Sequence, residues 1–169
     1  MMFRLRLACI ALAILASGGL FGFFYTMSFS IIPGLDDTPA YSALIANQMI
    51  GRATQGSSFI VLLLGAPAMI IAAIALSLPK AKRLALPWLV AALLCWIGMV
   101  VVTLTLDVPL NQALDGLALH PGMPNAEEAW LAYSPEWQQW NFWRVGFSAV
   151  STALATVGIV FAIKVKTFE

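Results

Sequence analysis

Three ionisable residues, Arg52, Asp107 and Arg144, stand at the borders of apolar runs, where solubility alone does not account for them. Arg144 lies in WQQWNFWRVGF, Asp107 in LTLDVPLNQAL and Arg52 in NQMIGRATQG. An acid at a helix C-terminus meets the negative end of the macrodipole, which costs roughly 0.3–1 kcal/mol unless a cation is near. The pattern therefore predicts that Asp107 pairs with one of the two arginines. Gln48, Asn111 and Asn141 would complete a polar floor, with Trp137 and Trp140 as walls. A half-apolar pocket with a few convergent polar groups suits a flat aromatic ligand. In a low-dielectric site an arginine can also stabilise an enolate or phenolate.

Each of these residues also has a plainer role. The arginines can snorkel to lipid headgroups, and the tryptophans can form an interfacial belt. Arg144 is the least well covered, because its side of the chain is otherwise acidic. Pro109 is expected to stop the preceding helix, leaving Asn111 to cap a short one over 112–119. In TPAYSALIANQMIGRATQGSSF, Thr38 is expected as N-cap and Pro39 as the first helical residue. Tyr41, Leu44, Ile45 and Gln48 share one stripe of that helix, which continues through Arg52 and Gln55. Ser134-Pro135-Glu136 has the order of a helix start. A helix from Pro135 to Ile163 would outlast the hydrocarbon by roughly two or three turns.

Most catalytic signatures are missing. His120, the single histidine, falls in the turn-like HPGMP, and Cys9 and Cys95 lie in separate apolar runs. Such a set offers no zinc, iron–sulfur or bis-histidine haem site, and without CxxC no thiol–disulfide exchange. No GxGxxG, Walker A or GxSxG occurs. A net charge of +1 without a basic block argues against nucleic acid. No metal and no cofactor is expected.

The elements that must position the candidate residues are membrane spans. The chain is 61% hydrophobic and 10% charged, whereas soluble domains carry roughly 25% charged residues. Four runs free of charge, about 7–29, 59–78, 84–106 and 145–163, have bilayer length, and the bilayer requires them to be helical. Their freedom from acids leaves proton-coupled transport without its usual carrier. Arg4, Arg6, Lys80, Lys82, Arg83, Lys164 and Lys166 fall on one side, which is therefore cytoplasmic. Both termini lie inside on this reading, and outer loops of about 30–58 and 107–144 carry the candidate residues. A signal peptide competes for the N-terminus, but the apolar run outlasts a normal h-region, so a retained first helix is expected. Gly18 and Gly22 suit close helix packing, and Gly65 with Pro67 marks a kink in the second span.

The same stretches resemble a known family over nearly the whole chain. FGFFYTMSFSIIPGL, QMIGRATQGSSF, DVPLNQAL and WNFWR occur in order at the four span borders. They are similar to motifs of the anthrone oxygenase-like proteins, small four-helix membrane proteins. Pro33-Gly34, Gln48, Arg52, Asp107, Pro109, Asn111, Trp140, Asn141 and Arg144 match that pattern. Gly51 and Gly56-Ser57 depart from it, where asparagine and Asn-Pro are usual. The resemblance implies oxidation of an anthrone-type polyketide to an anthraquinone with O2 and neither metal nor flavin. It implies a base, Asp107 or more weakly His120, and an arginine, Arg144 or Arg52, on the anion. The two roles compete, because a carboxylate paired with arginine is a poorer base.

The expected protein is thus an all-α integral membrane protein, one domain over 1–169, multi-pass and placed in the plasma (inner) membrane. Its expected activity is cofactor-independent oxidation of a hydrophobic phenolic or anthrone-type compound at an outward pocket. Asp107 and Arg144 are the catalytic candidates. Gln48, Arg52, Asn111, Trp137, Trp140 and Asn141 are the substrate-binding ones. A non-catalytic module that binds a lipid, quinone or partner protein is the alternative.

Overall fold

The computed structural model describes residues 1–54 and 56–164, and among these every regular element is helical. In chain order they are α1 (Met2–Asp36), α2 (Ala40–Thr54), α3 (Ser57–Ala75), α4 (Arg83–Asp115) and α5 (Ala126–Lys164). All but α2 are long and apolar enough to cross a membrane, and the protein is an integral multi-pass membrane protein. Arg6 donates to the Ala162 carbonyl at 2.7 Å, so α1 begins where α5 ends. Asp107 lies towards the opposite end, the site end. Lys166 falls outside the described residues.

Lipid tails give apolar helices no reason to associate, so contact faces are built from small and polar residues. The inward seam of α5 runs Ser148, Ser151, Ala155, Gly158 and Ala162, all buried. Ser151 donates to the Ala92 carbonyl of α4 at 2.9 Å, and Thr152 to the Ser17 hydroxyl of α1 at 3.0 Å. Such bonds contribute about 0.6 kcal/mol each. The closest approaches join α4 to α5. A Cβ on Gly98 would stand 2.9 Å from the Phe147 ring, and one on Gly158 3.0 Å from Leu89. Gly18 meets Thr152 only at 3.8 Å, and Gly22 faces open space. The expected Gly18–Gly22 seam is therefore not the tight one.

Pro67 lies inside α3 and has no N–H for the Leu63 carbonyl. The Trp96 indole of α4 takes that carbonyl at 3.2 Å, so a neighbouring helix satisfies the freed group.

Two prolines expected near helix ends are instead built through. In α1 the Ile32 N–H reaches back five residues to the Met27 carbonyl, and Pro33 follows. In α4 the Val108 N–H reaches back to the Thr103 carbonyl, and Pro109 follows. Each is a single π-turn, over Met27–Ile31 and Thr103–Asp107. The wider turn lets the helix carry its proline without a break. Pro109 thus does not stop the helix, and Asn111 is interior to it rather than a cap.

The last helix begins at Ala126, nine residues before the expected start, and its 39 residues measure about 58 Å. Pro135 and Leu131, whose carbonyl the proline deprives of a partner, are both exposed. Ser134 caps nothing; its hydroxyl donates to Asp36 Oδ1 at 2.7 Å, beside the Trp130 indole at 2.9 Å. That carboxylate ties the end of α1 to α5. At the start of α2, Pro39 is the cap, its carbonyl receiving the Ala43 N–H at 3.1 Å, while Thr38 donates back to Leu35. The expected outer loops are therefore mostly helix.

Candidate functional site

Asp107 closes the π-turn of α4 and is buried. Its Oδ2 receives Arg144 Nη1 at 2.6 Å and Asn111 Nδ2 at 3.0 Å. Asn111 is one turn further along the same helix, the spacing that sets two side chains on one face. On α5, Trp137, Asn141 and Arg144 follow at intervals of four and three and are all buried. The Arg144 guanidinium lies between two rings, 4.6 Å from the centre of Phe24 and 5.1 Å from that of Trp137. Phe59 packs edge-on against Phe23 and Phe24, completing an aromatic collar.

Two residues not singled out in the sequence extend this pair into a chain. Asn47 Nδ2 of α2 donates to the Tyr133 hydroxyl of α5 at 2.7 Å. Tyr133 donates onward to Asn111 Oδ1 at 2.7 Å. Because that oxygen is taken, the Asn111 amide must turn its NH2 to Asp107. The bonds run in one direction, donor to acceptor, along Asn47, Tyr133, Asn111 and Asp107.

A cavity of about 370 Å³ adjoins this chain, and all five helices contribute to its wall. Its polar side is Asp107, Arg144, Asn47 and Asn111, with Trp137; its apolar side includes Phe23, Phe59 and Leu63. Asp107 Oδ1, Arg144 Nε and Trp137 Nε1 are buried without a hydrogen-bond partner. Buried polar atoms are nearly always paired, so these three, on residues that line one cavity, point to a ligand site; a fourth on the lining, Asp115 Oδ1, faces the Arg52 guanidinium at 3.5 Å. One acceptor and two donors would match a molecule that presents a hydroxyl beside a carbonyl. Among the described residues, no three His, Cys, Asp or Glu side chains gather as a metal set would.

The other candidates are placed differently. Gln48 is buried but donates to the Leu114 carbonyl at 2.7 Å, bracing α2 against the end of α4. Arg52 pairs with Asp115 at 3.5 Å on the rim, its side chain 62% exposed, against 4% for Arg144. Asn141 donates to the Phe24 carbonyl at 2.9 Å and to Ser28 at 2.6 Å, holding the start of the α1 π-turn under Arg144. Trp140 is half-buried, and neither it nor Gln48, Arg52 and Asn141 lines the cavity. His120 is exposed beyond α4. Gln55 lies outside the described residues.

Fold and site together define a helical membrane protein with a buried ion pair in the wall of an aromatic-lined cavity. The profile of the anthrone oxygenase family matches residues 49–154, more than half of the chain, and the protein belongs to that family. The matched stretch holds Asp107, Asn111, Tyr133, Trp137 and Arg144. No curated protein and no solved structure matches the chain.

Proposed function

We propose that the protein is a cofactor-independent oxygenase that converts a hydrophobic anthrone-type phenol to the quinone with O2. The observation that carries this reading is the buried Asp107–Arg144 pair, whose Asp107 Oδ1 is unpartnered beside an aromatic cavity. Asp107 Oδ1 removes a proton from the activated CH2 of the substrate. The resulting anion is delocalised on to the ring carbonyl, and Arg144 stabilises the oxyanion in a low-dielectric site. The anion gives one electron to O2, and the radical pair joins as a carbon–oxygen bond. The peroxide anion takes the proton back from Asp107, and loss of water from the hydroperoxide leaves the ketone. One oxygen atom enters the product, and the other leaves as water with the two hydrogens of the CH2. Asn111, Asn47 and Trp137 orient the ring system. Lysine and arginine placement supports a plasma-membrane protein whose site end faces outward.

A second reading draws on Asp107 Oδ2, which already holds two donors and is suited to static recognition. On that reading the cavity binds a quinone or lipid without turnover. Oxygen uptake by membranes containing the protein, given anthrones and simple hydroquinones, separates the two. Arg144→Gln and Asp107→Asn membranes serve as controls for spontaneous oxidation. Uptake above these controls is expected for the anthrones; its absence on every substrate would leave the binding module.

A further inference from the structure

The geometry points to a sideways route: the ligand reaches the cavity from the bilayer, through an opening between α3 and α4 framed by Ile60 and Leu104. Among the cavity's described lining residues, Ile60, Leu104 and Gln112 are exposed. Ile60 is 45% exposed on α3 and Leu104 59% exposed on α4. Beyond Val102, α4 packs mainly on α2 and α5 rather than on α3, which leaves these two helices apart at the site end.

The surface around this opening is the kind that faces hydrocarbon. Val61 and Leu64 continue it on α3, and Ile97 and Val101 on α4, all exposed and all aliphatic. In the same wall Leu63 and Phe59 are half-buried and the charged pair is buried, so what this opening exposes is aliphatic and what the wall buries is mainly polar. The other approach, between α2 and α4, is crossed by the Arg52–Asp115 pair. A flat apolar molecule would have to displace those charges from water. It would also have to leave the bilayer, into which a tricyclic aromatic partitions by on the order of a thousandfold.

The inference rests on the ligand class proposed above, a flat polycyclic phenol, and not on its turnover. Two measurements in lipid nanodiscs test it. First, Leu104→Cys in a Cys9→Ser/Cys95→Ser background carries a nitroxide. Collisions with dissolved O2 should exceed those with a water-soluble nickel chelate, and the reverse order would place the opening in water. Second, 1,8-dihydroxyanthraquinone is bound while tryptophan fluorescence is followed. Ile60→Phe/Leu104→Phe should slow association and dissociation together by about tenfold. Leu64→Phe, on the same face but outside the cavity, should alter neither rate. Unchanged rates in the double variant, or no binding by the wild type, would overturn the inference. Slowed binding without any oxygen uptake would sustain the route while sinking the oxygenase.

Discussion

The Tyr133 hydroxyl donates to Asn111 Oδ1 at 2.7 Å, while the Asn111 NH2 donates to Asp107. Both partners select the same orientation of the amide, since a carboxylate only accepts. Without the phenol, Asn111 Oδ1 loses its donor and the amide is held against Asp107 from one end alone. Tyr133→Phe is therefore expected to lower kcat about tenfold while KM changes little. Oxygen-uptake kinetics on the reconstituted protein measure the split, and a pure rise in KM would contradict a positioning role.

Breaking the Asp107–Arg144 pair on one side strands a charge, since both side chains are about 5% exposed or less. Asp107→Asn or Arg144→Gln alone should cost about 3–5 kcal/mol, and the two together less than the sum. Thermal unfolding in detergent provides the cycle. Additive losses would show that the two groups are independently satisfied.

Gly98 and Gly158 hold α4 against α5, and a methyl group at either would meet a side chain at about van der Waals overlap. Gly158→Ala and Gly98→Ala should each destabilise by about 1–3 kcal/mol. Gly22→Ala, which meets nothing within 4 Å, should leave the melting temperature unchanged or raise it. Equal effects at all three positions would refute the seam.

Trp96 donates to a carbonyl that is free only because Pro67 lacks an N–H. Trp96→Phe should thus cost about 1 kcal/mol more in the native chain than in a Pro67→Ala background, where the helix satisfies Leu63 itself. A double-mutant cycle on unfolding reads the difference. A coupling near zero would mean that the indole serves packing alone.

Much of this was legible before the structure. Charge-free runs of bilayer length can only be helices, so the four spans follow from hydropathy. Asp107 is conspicuous because an acid at a helix C-terminus opposes the dipole, although the helix in fact runs on to Asp115, and Arg144 because it stands on an acidic side. Asn47 and Tyr133 were hidden for specific reasons. Asn47 neighbours Gln48, and only packing decides which of two adjacent amides turns to the cavity. Tyr133 precedes Ser134-Pro135, whose start-like order cut the helix short. Yet Ala126, Trp130, Tyr133, Trp137, Asn141 and Arg144 recur at three and four residues, a stripe that crosses the proline without interruption. The π-turns left no local mark, because the same residues would suit an ordinary α-turn.

A π-turn holds one residue more than the α-turn it replaces. Removing a single residue from 104–106 would let α4 close as a plain helix, with Val108 bonded to Thr103 four residues back instead of five. Everything beyond would keep its face, and Asn111 would still meet Tyr133. The same deletion made past Val108, in the plain α-helix, would swing the rest of α4 by about 100° and drop it by about 1.5 Å. The π-turn is thus the place where this helix tolerates a change of length, and the turn that follows it is where a change of one residue would scramble the candidate site.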